Sequence, residues 1–147
     1  MTVLRGNHEQ MLLNAMAEDE PDVDTDLWEW NGGDTDLLHF YRKHRAWFAS
    51  LPRKAIRGHY LFVHAGVHPG VPLEQQRDED LIWIRKPFLN RPHGLLYIVV
   101  HGHTFGSDYR IARLPHRIGI DTGAFKSGRL TALPLEPRPA RELEVAA

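Results

Sequence analysis

The chain has 147 residues, of which 42% are hydrophobic and 25% are charged, so it is long enough for one domain with a hydrophobic core and is typical of a globular protein. A formal net charge of −1 argues against nucleic-acid binding by bulk electrostatics, and no stretch approaches the about 20 apolar residues of a membrane span. The chain has no cysteine and ten histidines, which excludes disulfides and thiolate metal sites and favours histidine-based metal chemistry. Because the start also lacks a signal-peptide pattern, we predict a cytoplasmic protein.

The first third of the sequence is predicted to be mainly helical. Apolar spacing and helix breakers predict a strand end at residues 2–4, a helix over 9–17, an acidic loop over 18–26 and a helix over 35–50. Pro52 is expected to end the last of these helices. The tryptophans of the chain are predicted to pack in the core or as a lid, and these are Trp28, Trp30, Trp47 and Trp83.

The rest of the sequence predicts a β-rich arrangement with one short helix. Apolar runs predict buried strands at 60–63 and 95–100, an acid-led helix at 78–83 and a strand meander at 110–113, 117–120 and 129–135. The proline- and charge-rich residues 136–147 are predicted to form a flexible tail.

Three short strings place Asn or His beside glycine after an apolar run. They are Gly6-Asn7-His8-Glu9, His64-Ala65-Gly66 and His101-Gly102-His103-Thr104. Side chains that follow strands share one rim of a sheet, where loops converge on a ligand, so this pattern favours a metal centre. Taken singly, each string is a modest signal, and His64 alone is explained as well by a strand-end histidine with satisfied hydrogen bonds.

In this order the strings resemble the later motifs of calcineurin-like metallophosphoesterases, and more closely those of the bacterial PPP-type serine/threonine protein phosphatases. The string from Asp80 to Arg85 and residues 120–133 resemble the same branch, so the likeness covers residues 1–135. It implies an α/β fold that forms the later part of a two-sheet αββα sandwich, with a mixed β-sheet and flanking helices.

The resemblance also implies roles for individual residues. Asn7, His64 and His103 match ligands of the second metal of the family's two-metal centre, and His8 matches the proton donor to the leaving group. Arg85 lies where the family grips the substrate phosphate. An amide oxygen and two imidazoles suit borderline ions, so Mn²⁺ is the favoured cofactor and Fe²⁺ or Zn²⁺ the alternatives. Arg5 is expected to brace its turn, Asp121 to fix a turn and His101 to support the site from behind.

Two strings that open the family's pattern, Asp-x-His-Gly and Gly-Asp-x-x-Asp-Arg, do not occur in this chain. In the family they supply the carboxylate metal ligands. Three neutral ligands cannot balance two divalent cations, so we expect at most one weakly held metal and activity near background for this chain alone. A misassigned start would explain the short amino terminus, and a partner chain is expected to cover the open sheet edge beside residues 2–4.

The resemblance predicts metal-dependent hydrolysis of phosphomonoesters, with a phosphorylated protein or peptide as substrate. Symmetrical dinucleoside tetraphosphate hydrolysis uses related strings and remains open as an alternative. A non-catalytic truncated remnant or an interaction module is a second alternative, which the missing carboxylates support.

Overall fold

The computed structural model describes residues 1–17 and 21–136, with only the backbone described for residues 21–24. The chain forms two compact units. The first comprises Met1 and Val3–Pro52, and the second comprises Thr2 and the described residues from Arg53 onward. Among the described residues, no helix has both the length and the apolar character needed to cross a bilayer.

The first unit is built from helices. They are α1 (Asn7–Ala15), α2 (Pro21–Trp30), α3 (Leu38–Arg42) and α4 (Arg45–Ser50), with a short 3₁₀-helix at Thr35–Leu37. Leu12, Leu13 and Met16 form its buried centre, and four partly buried side chains pack against them: Trp28, Leu38, Tyr41 and Phe48. Helix α1 begins where the Glu9 carboxylate accepts a 2.7 Å hydrogen bond from the Gly6 amide, which satisfies one of the unpaired donors of a helix start.

Four predictions for this unit are wrong. Residues 2–4 form no strand. The acidic loop was predicted over 18–26, but residues 21–26 begin helix α2. Residues 18–20 lie outside the described part. Proline at the first position and acids in the first turn are favourable helix starts, which outweighs their loop-like composition. The helix predicted over 35–50 is instead a 3₁₀ turn and two short helices. Trp30 is 87% exposed and Trp47 is 52% exposed, so the predicted packing is wrong for these two tryptophans.

The second unit is a five-stranded mixed sheet. Its strands are β1 (Lys54–Arg57), β2 (Tyr60–Val63), β3 (Ile98–His101), β4 (Ala112–Leu114) and β5 (Arg117–Gly119), in the order β1-β2-β3-β5-β4. The three central strands run parallel, with Phe62 opposite Val100 and Val100 opposite Ile118, and both outer strands are antiparallel. The carboxyl ends of β2, β3 and β5 therefore meet at one edge of the sheet, where parallel α/β sheets bind ligands.

The core of this unit lies between the sheet and helix α5 (Asp78–Trp83). Leu61, Val63 and Val99 from the central strands are at most 3% exposed, and Leu81 and Phe88 pack against them. Burial of aliphatic and aromatic side chains from both layers fixes the loops that follow the strands.

The α/β prediction and the mixed sheet are confirmed, and so are the helix over 78–83 and the strand over 60–63. Strand β3 begins three residues later than predicted and extends to His101. Residues 129–135 form no strand, β1 was not predicted, and a helical turn α6 (Ala124–Ser127) precedes the irregular stretch. The domain boundary at residue 135 stays a prediction, and residues 137–147 of the predicted tail lie outside the described part.

Candidate metal centre

His64 and His103 lie side by side at the edge of the sheet where β2, β3 and β5 end. His64 follows β2 and His103 lies two residues beyond the end of β3. The Gly102 amide donates a 2.8 Å hydrogen bond to the His64 carbonyl, which joins the two loops, and the imidazole centroids are 5.1 Å apart. The structure thus brings together two of the three predicted metal ligands.

The His103 imidazole has one buried ring nitrogen without a hydrogen-bond partner among the described residues. Its backbone has a φ of +63°, a left-handed conformation that is uncommon for residues other than glycine and often marks a functional site. The ring makes a hydrogen bond to the backbone of Trp83, whereas the buried Nε2 has no hydrogen-bond partner among the described residues. Nδ1–H is therefore the donor to Trp83, and the Nε2 lone pair is left available, as in histidines whose tautomer is fixed for metal binding.

The surroundings of His103 keep its ring uncharged. Burial, followed by the positive charges of Arg85 and His64, lowers its pKa from 6.5 to about 4. A neutral imidazole is the form that coordinates a metal, so at neutral pH no proton must leave before an ion binds.

Arg85, the predicted phosphate-binding residue, is part of the same edge. It is exposed, lies just beyond α5, and its Nη1 donates a 3.2 Å hydrogen bond to the Thr104 hydroxyl. Its charge acts on the pKa of His103, one residue before Thr104. An exposed guanidinium beside a metal-ligand candidate suits bidentate contact with a phosphate.

His101 and Arg117 form a buried pair that stabilises the loop after β3. The His101 Nε2 accepts a 3.2 Å hydrogen bond from Arg117 Nη1, and its Nδ1 donates to the Gly102 carbonyl at 3.1 Å. Burial lowers the pKa of His101 to about 4, with a smaller contribution from the Arg117 charge. The supporting role predicted for His101 agrees with these bonds. Arg117 was missed because only the pairing of β3 with β5 places it there.

Asp121 acts mainly as a turn residue, as predicted. Its Oδ1 accepts a 2.9 Å hydrogen bond from the Gly123 amide, and Gly123 has a φ of +59° that other residues rarely adopt. The negative charge of Asp121 also raises the pKa of His103, which partly offsets the lowering caused by burial.

The remaining predicted site residues lie in the first unit. Asn7 is the first residue of α1 and is buried, while His8 beside it is exposed. Arg5 braces this turn as predicted, because its guanidinium donates to Gln10 Oε1 at 3.1 Å and to the Ala49 carbonyl. The metal-ligand role of Asn7 and the proton-donor role of His8 stay predictions.

The donors fit part of a metal site. Two imidazoles, one with an unpartnered buried Nε2, suit a borderline divalent ion. Within residues 1–17 and 21–136, however, no group of three or more His, Cys, Asp or Glu side chains is placed to hold an ion. Among the described residues, His64 and His103 are therefore the two imidazoles that this edge offers to an ion.

Comparison with known proteins supports the fold. No family model matches the chain. Its structure resembles a crystal structure described as that of a putative diadenosine tetraphosphatase, with a TM-score of 0.53 and 21% sequence identity. The match covers 84% of this chain and 59% of the other, so the chain spans less than two thirds of that protein. This likeness shows that the two chains share a fold over the matched residues.

Proposed function

We propose that this chain takes part in metal-dependent hydrolysis of phosphate monoesters. The observation that carries the proposal is the buried, unpartnered Nε2 of His103 beside the His64 ring, with the Arg85 guanidinium at the same edge. A metal ligand and a phosphate-binding group at the rim of a parallel sheet are the two parts that such a reaction requires.

The residues of the chain divide this work. His64 and His103 would hold a divalent ion, of which Mn²⁺ is favoured over Fe²⁺ or Zn²⁺. When bound, the ion supplies Lewis-acid polarisation of the phosphoryl oxygens. Arg85 would orient the phosphate through its planar guanidinium. The proton-donor role of His8 stays a separate prediction for a residue of the first unit.

Phosphoserine or phosphothreonine in a protein or peptide is the substrate class that we favour. The support is the likeness of the string from Asp80 to Arg85 and of residues 120–133 to the protein-phosphatase branch. A cytoplasmic location would give the chain access to such substrates.

Symmetrical hydrolysis of a dinucleoside tetraphosphate is the second candidate. The crystal structure that resembles this chain carries the description of a putative diadenosine tetraphosphatase, which favours it. A non-catalytic role that involves a partner chain is the third candidate, supported by the lack of both carboxylate-bearing strings from this sequence.

Metal-dependent binding of orthophosphate tests the proposal without relying on turnover. We expect calorimetry to detect orthophosphate binding with Mn²⁺ and none with EDTA. His103→Ala should abolish the metal-dependent part, and Arg85→Gln should weaken it by about tenfold, because charge-assisted hydrogen bonds are lost. The exposed Arg77 offers a matched control as Arg77→Gln, which should bind like the unmodified chain. Binding that ignores Mn²⁺ or survives His103→Ala would contradict the proposal.

Turnover separates the three functions. With Mn²⁺ we expect hydrolysis of p-nitrophenyl phosphate near background, because the chain lacks the carboxylate ligands. Comparing a phosphopeptide with diadenosine tetraphosphate then distinguishes the two enzyme candidates by their products. Complete inertness toward both, together with absent metal binding, would favour the non-catalytic candidate. Fast turnover that is lost in His8→Ala would show that the missing carboxylates are not needed.

A further inference from the structure

His103 lies at the centre of a three-residue turn. The Thr104 amide donates a 2.7 Å hydrogen bond to the Gly102 carbonyl, and His103 between them has a φ of +63°. A turn of this kind with a positive φ at its centre is rare and strained. Because a strained conformation persists only where surrounding contacts hold it, other groups must hold this turn closed.

The His101 side chain holds the carbonyl that closes the turn. Its Nδ1 lies 3.1 Å from the Gly102 carbonyl oxygen, and its Nε2 lies 3.2 Å from Arg117 Nη1. A guanidinium has only donors, so Nε2 is the acceptor of the Arg117 bond and the ring proton is on Nδ1. Arg117 thereby selects the tautomer of His101 that can donate to Gly102.

Arg117 reaches His101 from strand β5 and is itself held in place. It is 8% exposed, its Nη2 donates a 3.2 Å hydrogen bond to the Leu89 carbonyl, and its guanidinium carbon lies 5.8 Å from the centroid of the Phe88 ring. Within the described part of the chain it forms no ion pair. Burying a guanidinium without a counter-charge lowers the stability of a fold, and an apolar side chain of similar size is often more stable. Stability therefore gives no reason for an arginine at this position, whereas the bond to His101 does.

We propose that Arg117 is a positioning residue of the candidate metal centre, which acts through His101 and Gly102 on the two imidazoles. Gly102 is the shared point, because its carbonyl closes the turn at His103 and its amide donates a 2.8 Å hydrogen bond to the His64 carbonyl. Arg117 is not itself a ligand, since a guanidinium has no lone pair to donate. Groups that orient metal ligands change metal affinity by about 10–100-fold when they are mutated, although no ligand is removed. The inference rests on the proposed function for its meaning and identifies a residue on which that function depends.

Replacing Arg117 by an apolar residue of similar length tests the proposal. Arg117→Met fills a similar space without a hydrogen-bond donor, so His101 loses its fixed tautomer while both imidazoles of the centre remain. We expect the dissociation constant for Co²⁺, measured by visible absorbance, to rise by about tenfold under conditions where urea denaturation shows each variant to be folded. Arg117→Lys retains a donor and should bind Co²⁺ more tightly than Arg117→Met does.

The buried His93 offers a matched control. Its ring packs on the same Phe88 ring that His101 contacts, and its two nitrogens bond only to the backbone of Leu95 and His116. His93→Phe keeps an aromatic ring and removes both bonds, so it should lower the free energy of unfolding and leave the Co²⁺ affinity unchanged. A purely structural role of Arg117 would instead make Co²⁺ affinity follow stability in all three variants.

A second readout in EDTA-containing buffer needs no metal. Long-range ¹H–¹⁵N NMR spectra at neutral pH should show His101 with its proton on Nδ1 in the unmodified chain and a mixture of tautomers in Arg117→Met. The coupling between the amide and α protons of His103 reports its φ, and we expect this coupling to change in Arg117→Met but not in His93→Phe. Failure of the proposed function would appear instead as missing Mn²⁺-dependent orthophosphate binding, with these two NMR results unchanged.

Each outcome decides the proposal. Unchanged Co²⁺ affinity in folded Arg117→Met, or equal weakening in His93→Phe, would overturn it, and so would a proton on Nε2 of His101 in the unmodified chain. If the unmodified chain binds no Co²⁺, an unchanged His103 coupling in Arg117→Met overturns the proposal and a changed one supports it. If Arg117→Met fails to fold, Gly119→Ala replaces it, since a Cβ at Gly119 would lie 3.2 Å from the His101 Cε1 and Nε2 atoms and would push the ring away. Gly119→Ala should then also weaken Co²⁺ binding, and unchanged affinity in this variant would overturn the proposal.

Discussion

The amide of Gly102 donates a hydrogen bond to the carbonyl oxygen of His64, and this 2.8 Å bond joins two loops that are distant in the sequence. It lies two residues beyond Phe62 and Val100, the last paired residues of the parallel strands β2 and β3. The two imidazoles therefore reach the same edge of the sheet before any ligand arrives, and a preorganised pair loses less entropy on binding.

Replacing either imidazole should weaken metal binding. We expect His103→Ala and His64→Ala to raise the dissociation constant for Co²⁺ by at least about tenfold, because each removes one of the two donors on this edge. Titration with Co²⁺ followed by visible absorbance measures the effect. His39→Gln is a suitable control because His39 is exposed in the helical first unit. Unchanged Co²⁺ affinity in both alanine variants would show that the site lies elsewhere.

Two glycines beside the histidines should respond differently to alanine. A Cβ at Gly66 would lie 2.3 Å from the ring of Phe88, which is fully buried and has no space to move, whereas a Cβ at Gly102 meets only the His64 carbonyl at 3.6 Å. We therefore expect Gly66→Ala to lower the free energy of unfolding by about 1–3 kcal/mol and Gly102→Ala to change it by much less. Urea denaturation of both variants measures the difference. Equal stability of the two variants would contradict the tight packing at Gly66.

The charge of Arg85 should lower the pKa of His103. Burial is the largest cause of the lowered His103 pKa, and the Arg85 charge is the next. Arg85→Gln should therefore raise the pKa of His103 toward 6.5 without restoring it fully. NMR titration of the histidine ring signals measures the change, with Arg77→Gln as an exposed control. A His103 pKa that stays the same or falls in Arg85→Gln would mean that the guanidinium does not face the ring.

Local signals predicted the parts of the fold that do not depend on distant contacts. The strand over 60–63 is a short apolar run, and the helix over 78–83 starts with three acids, so sequence alone specifies both. Strand β1 was missed because most of Lys54–Arg57 is exposed and has little apolar pattern, and its pairing with β2 decides its conformation. Residues 129–135 have strand-like composition but no strand beside them, and β-propensity depends on such partners.

The candidate metal centre could likewise be predicted only in part from local sequence signals. His64 and His103 were recognisable because each follows an apolar strand with glycine beside it. The contacts that tune them are backbone groups and cross-strand partners, such as the Trp83 backbone and the Arg117 side chain, and these become visible only when the sheet is assembled. The orientation of Nε2 therefore required a three-dimensional structure, whereas the identity of the histidine did not.

Lowering the pH from 6.5 to 4 should lower the free energy of unfolding. The pKa values of His101 and His103 are both lowered to about 4, chiefly by burial, whereas in the unfolded chain they return to about 6.5. Between these values the unfolded chain binds more protons than the folded one, so stability is complete above pH 6.5 and falls as the pH drops toward 4. For His101 alone the loss is on the order of 3 kcal/mol. Urea denaturation at several pH values in this range measures it, and His101→Gln should flatten the dependence. Stability that stays constant or rises between pH 6.5 and 4 would contradict the burial of both rings.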